Sequence, residues 1–497
     1  MLFAILCLTG TVVPPVELQQ STVTRFISFQ IPLESDGPGG FWGPADRKTD
    51  HGTIAMNPAL DIVVIYHADR EDLLPGTGYL STLKQVKAAF FRYDGGSSNT
   101  WTHVKTELIG SVTHDPEGIL LNDIVKCERP DVTTVGDRFF AAWTRIYDPA
   151  TGDPDELAVL EGAWIRWDAS QQKFLVFDHA ASGVATGRGI LLDSSYHVRQ
   201  CAGVPDAVAL EVGPSLWSVG IAYVHQWQFG VPNSWIRRFE LRLATCSITA
   251  GDVTTSTKEP NLSDNVPFIG DTDGDAGLVL PDLAQGTSPT RFALAYEKQF
   301  GTGAGQILLE LREKNPLTGE WDALDSHSFG SAGSPAERRR VNLSSHPVPG
   351  TADAVSIAFM KRLAGGDWDI VYEEWVLTSG WTQRLWPLGR GWVNTAADDI
   401  HPFPVHGKKA LDPLLDFRRG YASRNVPPAT ASDLIRYDFG SNTTVSLTTQ
   451  DGLKRPAASY VFHEASGTEY VALCWEQDSP AGRIRPAKRP LDTALAA

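Results

Sequence analysis

Short runs of β-branched and aromatic residues recur along the whole chain, alternating with polar residues and stopping at Gly, Asn, Asp or Ser. Alternation of that kind marks half-buried strands, and the stops mark tight turns. The 3.6-residue periodicity of an amphipathic helix is scarce throughout. The stretch Arg129–Arg145 is the clearest unit: Pro130 and Asp131 open one strand, Gly136-Asp137 forms a turn, and the apolar run Phe139 to Trp143 forms a second strand. Gly followed by Asp suits a two-residue hairpin turn.

Looser copies of this unit follow one another. Aligning Pro58, Pro130, Pro205, Pro281, Pro347, Pro402 and Pro456 gives spacings of 72, 75, 76, 66, 55 and 54 residues. After each second strand comes a variable loop and a further hairpin, as in Ala88–Tyr93 with Trp101–Leu108. Seven units of four strands predict an all-β fold, a seven-bladed β-propeller. The last unit has only two convincing strands. An unpaired blade edge invites aggregation, so Val23–Pro32, a lone strand near the start, is expected to close the last blade as its outer strand. Residues 21–480 then form a single propeller, preceded by a signal or tail at 1–20 and followed by a basic Pro-rich tail at 481–497.

Composition narrows the function. The formal net charge is −16, from 43 Lys and Arg against 59 Asp and Glu. An acidic chain is a poor partner for a phosphate backbone, so nucleic acid is excluded. No run reaches the roughly 18 apolar residues of a membrane span. The apolar start, Met1 to Leu8, reads as an unusual export leader or as a tail, and the rest of the chain suits a secreted or cell-surface protein. Five cysteines without a CxxC pair argue against zinc and against a disulfide scaffold. Cys127 and Cys201 occupy near-equivalent repeat positions, which allows either a bridge or two buried thiols.

In a propeller, loops after the second strands crowd one mouth. The second-strand ends therefore supply the candidate binding residues: His67, Arg145, His225, Trp227, Lys298, Arg362, Arg419 and Tyr421. Cations predominate there although the chain is acidic, which suits an anionic ligand such as a uronate or sulfated sugar. Strand ends that are simply solvated remain the alternative. Asp271, Asp273 and Asp275 alternate around Gly274, a spacing of hard oxygen ligands suited to calcium or to a solvated acidic turn. No cofactor is required.

The segment Asp50-His51-Gly52-Thr53, with Tyr66-His67 beyond it, resembles the first blade of BNR-like seven-bladed polysaccharide lyases, the group that includes ulvan lyases and a rhamnose–glucuronate lyase. The resemblance implies that His51 and His67 are catalytic, with Arg145 matching the family's Arg in a later blade. A lyase neutralises the uronate carboxylate, removes the neighbouring proton and protonates the leaving oxygen. Arg145 would serve the first step and either histidine the others; a structural histidine pair is the other reading. Where the family has a Tyr before Pro, this chain has Arg129, which cannot exchange protons near neutral pH but can bind an anion. The expected function is binding of an extracellular acidic polysaccharide, with β-elimination or a non-catalytic role in adhesion or protein assembly as the alternatives.

Overall fold

The computed structural model describes residues 2–8, 26–30, 48–73, 80–95, 101–110, 124–148, most of 157–193, 205–229, 236–261, 266–269, 277–299, 305–331, 336–345, most of 353–384, 392–393, 398–405, 414–420, 431–438, most of 443–463, and 468–477. All regular elements among them are strands, and they pair into seven antiparallel sheets of four or five strands. Among the described residues no helix is long and apolar enough to cross a membrane.

Six sheets follow the chain in order, each built from consecutive strands. The second sheet is typical. Ile124–Val135 leads, Arg138–Asp148 pairs with it, and Leu157–Asp168 and Lys173–Phe177 follow. Gly136, at φ +65°, makes the two-residue turn that joins the first two strands, with Val135 opposite Arg138. A glycine at the first central position is what a type II′ hairpin demands.

The leading strands of the other sheets are Lys48–Met56, Asp206–Val212, Gly277–Gln285, Glu337–Ser345, Asp398–Val405 and Leu453–His463. Each leading strand touches the next, and the seventh touches the first.

The seventh sheet takes strands from both parts of the chain. Thr468–Gln477 pairs with Leu453–His463 on one side and with Leu2–Leu8 on the other, and Phe26–Gln30 pairs outside Leu2–Leu8. The apolar start of the chain thus lies within a sheet, between a strand near the end of the chain and Phe26–Gln30.

The core lies between sheets. Phe90, Phe139, Phe174 and Ile65 pack the first sheet on the second. Trp164, Trp217 and Tyr223 pack the second on the third. Met56, Tyr66, Tyr470 and Cys474 pack the seventh on the first. Both faces of the strands are covered, so their apolar runs are near-continuous. Cys127, Cys246 and Cys474 are buried, and Trp164 Nε1 donates to Cys246 Sγ at 3.3 Å. Cys201, the other half of the expected Cys127 equivalence, lies outside the described residues.

One irregularity repeats. In six leading strands two consecutive residues face a single residue of the second strand: His51-Gly52, Arg129-Pro130, Leu280-Pro281, Arg340-Val341, His401-Pro402 and Arg455-Pro456. The residues opposite are all aromatic: Tyr66, Trp143, Tyr296, Phe359, Phe417 and Trp475. These are β-bulges. A proline survives there because the bulge removes it from the ladder. The proline alignment needs correction at two points. Gly52 and Val341, not Pro58 and Pro347, hold the equivalent places; Pro58 lies past the end of its leading strand, and Pro347 lies outside the described residues.

Hydrogen bonds tie the leading strands together just past the bulges. Asp131 Oδ1 accepts from Thr53 Oγ1 at 3.2 Å, and its Oδ2 accepts from Ala207 N at 3.0 Å. Asp206 accepts from Leu283 N, Asp282 accepts from Leu343 N at 2.8 Å, and Asn342 Nδ2 donates to Pro402 O at 2.7 Å. Met56 N donates to Ser459 Oγ at 3.0 Å, linking the first sheet to the seventh.

Candidate functional site

The bulges bring together chemistry that the strand pattern alone does not announce. Five of their six first residues are Arg or His: His51, Arg129, Arg340, His401 and Arg455, with Leu280 the exception. Arg129 and Arg340 stand at φ +56° and +57°, the left-handed region that non-glycine residues seldom enter. Such strain costs on the order of 1 kcal/mol or more per residue and persists where surrounding contacts impose it. For Arg340 one such contact is visible: its backbone N donates to Glu297 of the preceding sheet. Arg129 is half-buried, and its Nε is buried with no hydrogen-bond partner among the described residues. A guanidinium held that way is poised for an anion.

The fifth sheet carries the densest charge. Arg338 is opposite Lys361, Glu337 is opposite Arg362, and Arg339 and Arg340 follow directly. Arg338 Nη1 donates to the carbonyls of Ala336 and Gly305 at 3.2 and 3.3 Å. Gly330, at φ +88°, makes room for it: a Cβ there would lie 2.3 Å from Arg338 Nη1. Burial lowers the Arg338 pKa, and burial together with the Arg338 charge lowers that of Lys361. Crowded, desolvated cations of this kind gain from an anionic ligand. The run Arg338-Arg339-Arg340 was visible in the sequence, but aligning the fifth unit on Pro347 hid its equivalence to Arg129.

The residues expected at the second-strand ends divide into several groups. His67, opposite Asp50, and Arg145, opposite Cys127, lie at the bulge end of adjacent sheets, as does His51. His67 and Arg145 are almost fully buried, and the His51 side chain is outside the described set. Arg145 is engaged by Glu161: Nε to Oε1 is 2.8 Å and Nη2 to Oε2 is 2.9 Å, while Nη2 also reaches Gly187 O at 3.3 Å. Trp143 Nε1 donates to the same carboxylate at 3.0 Å. A bidentate, buried pair of this sort organises its surroundings. Glu161 lies on the third strand opposite Trp143, a register invisible in sequence.

His225, opposite Glu240, is fully buried. Lys298 is half-buried opposite Gln306. Arg362 pairs with Glu337 at 2.6 Å and stacks 4.5 Å from the Trp368 ring centroid. Trp227 is opposite Arg238 and Arg419 opposite Asp399, with both side chains outside the described set. Tyr421, Asp271, Asp273, Asp275 and the 481–497 tail lie outside the described residues altogether. Among the described residues no cluster of three His, Cys, Asp or Glu could hold a metal.

Directly past the bulges sits a collar of carboxylates, Asp131, Asp206 and Asp282, at equivalent places in three adjacent sheets. Each is half-buried, with protein packed closely around its carboxylate. Burial pushes the Asp131 pKa up to about 6, against the lowering effect of hydrogen bonds from Ala207, Val132 and Thr53. Burial raises Asp206 and Asp282 well above the ordinary carboxylate range as well, and Asp206 is also repelled by Asp282 and Asp131. The collar therefore resists full ionisation.

No protein-family model matches the chain, and no curated protein matches it in sequence. It is similar in structure to a Trypanosoma rangeli sialidase, at TM-score 0.34 and 10% identity over 87% of this chain; the match spans only 56% of that enzyme. It is similar to a leech intramolecular trans-sialidase, at TM-score 0.38 and 11% identity, covering 95% of this chain and 70% of the other. For a Penicillium chrysogenum α-L-arabinanase the values are 0.30 and 9%, covering 81% and 93%.

Proposed function

We propose that the chain is a closed seven-bladed β-propeller that binds an acidic polysaccharide outside the cell at the bulge end of its axis. The cyclic contact of the leading strands supports the closed ring. The observation that carries the function is the set of bulge residues: Arg or His at five of six equivalent positions in a chain of net charge −16. Repeated cations around one axis suit a polymer with repeated carboxylates or sulfates, because several weak contacts can be made at once. Guanidinium groups bind such oxyanions in bidentate fashion.

Cleavage by β-elimination is the second reading, and the location of His51 and His67 at one end of the first sheet favours it. It requires a cation to neutralise the uronate carboxylate. Arg145 is occupied by Glu161, so Arg129 is the better candidate for that role. Arg129 then binds substrate and exchanges no proton, and acid–base work falls to the histidines.

The test is titration with uronate and sulfated polysaccharides against neutral glycans at several salt concentrations. Salt-sensitive binding of the acidic polymers alone is expected, weakened about tenfold by Arg129→Ala with Arg340→Ala. Equal retention of neutral glycans, or no effect of the double variant, rejects the site and leaves adhesion or protein assembly as the function. Unsaturated uronate products, followed by ultraviolet absorbance, separate cleavage from binding.

A further inference from the structure

At the other end of the leading strands lies a cavity of about 590 Å³, lined by residues from six of the seven sheets. Its size falls in the range of about 300–1,000 Å³ typical of small-molecule sites. Its chemistry is the reverse of the bulge end. Among the described residues no Lys, Arg or His lines it, and Asp353 is the one ionisable group on its wall. Both Asp353 oxygens are already used, by Thr287 N at 2.6 Å and by Arg291 Nη1 at 3.1 Å. The described wall thus offers no free charge to an ionic ligand.

The cavity does offer hydroxyls. Thr133 and Thr134 come from the second sheet, and Ser344 and Ser345 from the fifth. Among the described residues none of these four side chains has a hydrogen-bond partner. All four are half-buried. Between them Val208, Leu283 and Val461 supply apolar surface. Hydroxyl donors and acceptors beside small apolar patches match a molecule with hydroxyls on its rim and C–H groups on its faces.

We infer that this cavity is a second binding site, for a small neutral polyhydroxylated molecule of monosaccharide or alditol size. The site is independent of the bulge-end reading: it shares no residue with it and takes an uncharged ligand. Thr133, Thr134, Ser344 and Ser345 orient the hydroxyls, and Val208 and Leu283 lie against the carbon skeleton.

Saturation-transfer NMR and calorimetry on the full chain with glucose, galactose, mannitol and glucuronate provide the test. At least one neutral compound is expected to bind, with glucuronate about tenfold weaker or absent. Ser345→Phe, which fills the cavity, abolishes the signal. Thr133→Val with Ser344→Ala, which removes two hydroxyls with little change of shape, weakens it about tenfold. Should Ser345→Phe fail to fold, the hydroxyl-deletion pair decides. Acidic polysaccharide, added at saturation, leaves the neutral ligand in place. Silence from every neutral compound, equal binding of glucuronate, unchanged binding in the hydroxyl-deletion pair, or displacement by the polysaccharide overturns the inference.

Discussion

At one end the leading strands carry Arg129 and Arg340 in left-handed bulges, beside a buried Arg145–Glu161 pair. At the other end the same strands carry Thr133, Thr134, Ser344 and Ser345 and finish in glycine turns such as Gly136. Between them lies the Asp131, Asp206 and Asp282 collar. A few residues of strand thus separate irregular, charged backbone from regular, neutral backbone. Along the leading strands the cations collect where the ladder is broken, because a bulge frees a residue from pairing and re-aims it. The unbroken end is held by small residues, by backbone hydrogen bonds, and by side-chain contacts such as Asp353 with Thr287 N and Arg291 Nη1.

The largest expected effect tests whether the bulge end depends on charge for its architecture. Glu161→Gln leaves Arg145 buried against a neutral amide and should cost about 3–5 kcal/mol, read by chemical denaturation. A loss below about 1 kcal/mol would show that the pair is dispensable.

The collar gives the next effect, through pH. Its native carboxyls hold protons to higher pH than unfolded ones, which ionise near pH 3.9. The native state therefore binds more protons in that interval, and stability falls as pH rises. The loss begins near pH 4, passes through about 6 for Asp131, and continues higher for Asp206 and Asp282. Asp131 alone contributes on the order of 3 kcal/mol of this slope. Thermal unfolding from pH 4 to 8 should show it, and Asp131→Asn should flatten it. A melting temperature that rises over that range contradicts the buried collar.

The neutral end responds to shape. Gly136→Val should cost roughly 2 kcal/mol, because φ +65° is strained for a β-branched residue and a Cβ there lies 2.7 Å from Val212 Cγ1. The smallest effect returns to the bulges. Arg129→Gly should stabilise by about 1 kcal/mol in denaturant, while Arg129→Ala should not, since only glycine relieves the left-handed strain. If both variants behave alike, the backbone there is unstrained.

Much of this architecture was legible in the chain. Pro130, Pro281, Pro402 and Pro456 each stand directly before the residue that resumes pairing after the bulge, and Pro205 stands directly before Asp206, where its strand's pairing begins, so their spacing marked the repeat. The signal failed where Gly52 and Val341 replace proline, since neither has to sit in a bulge. Leu2–Leu8 read as a leader or a tail because its apolar run carries no sign of its partner, Thr468–Gln477, about 460 residues further on. Arg145 read as a ligand group because its partner, Glu161, reaches it only through strand register. The bulge cations were in plain view as single residues, but their equivalence exists only once the sheets are paired.

The seventh sheet sets a condition on how the protein is made. Leu2–Leu8 leaves the ribosome about 460 residues ahead of its partner Thr468–Gln477. At about 5–20 residues per second, roughly half a minute to a minute and a half separates them. Until then Leu2–Leu8 has Phe26–Gln30 on one side and an open edge on the other. Synthesis therefore includes an interval in which a nascent chain can join a neighbour's edge, and the cell must cover those strands, or keep such chains apart, until Thr468–Gln477 has been made.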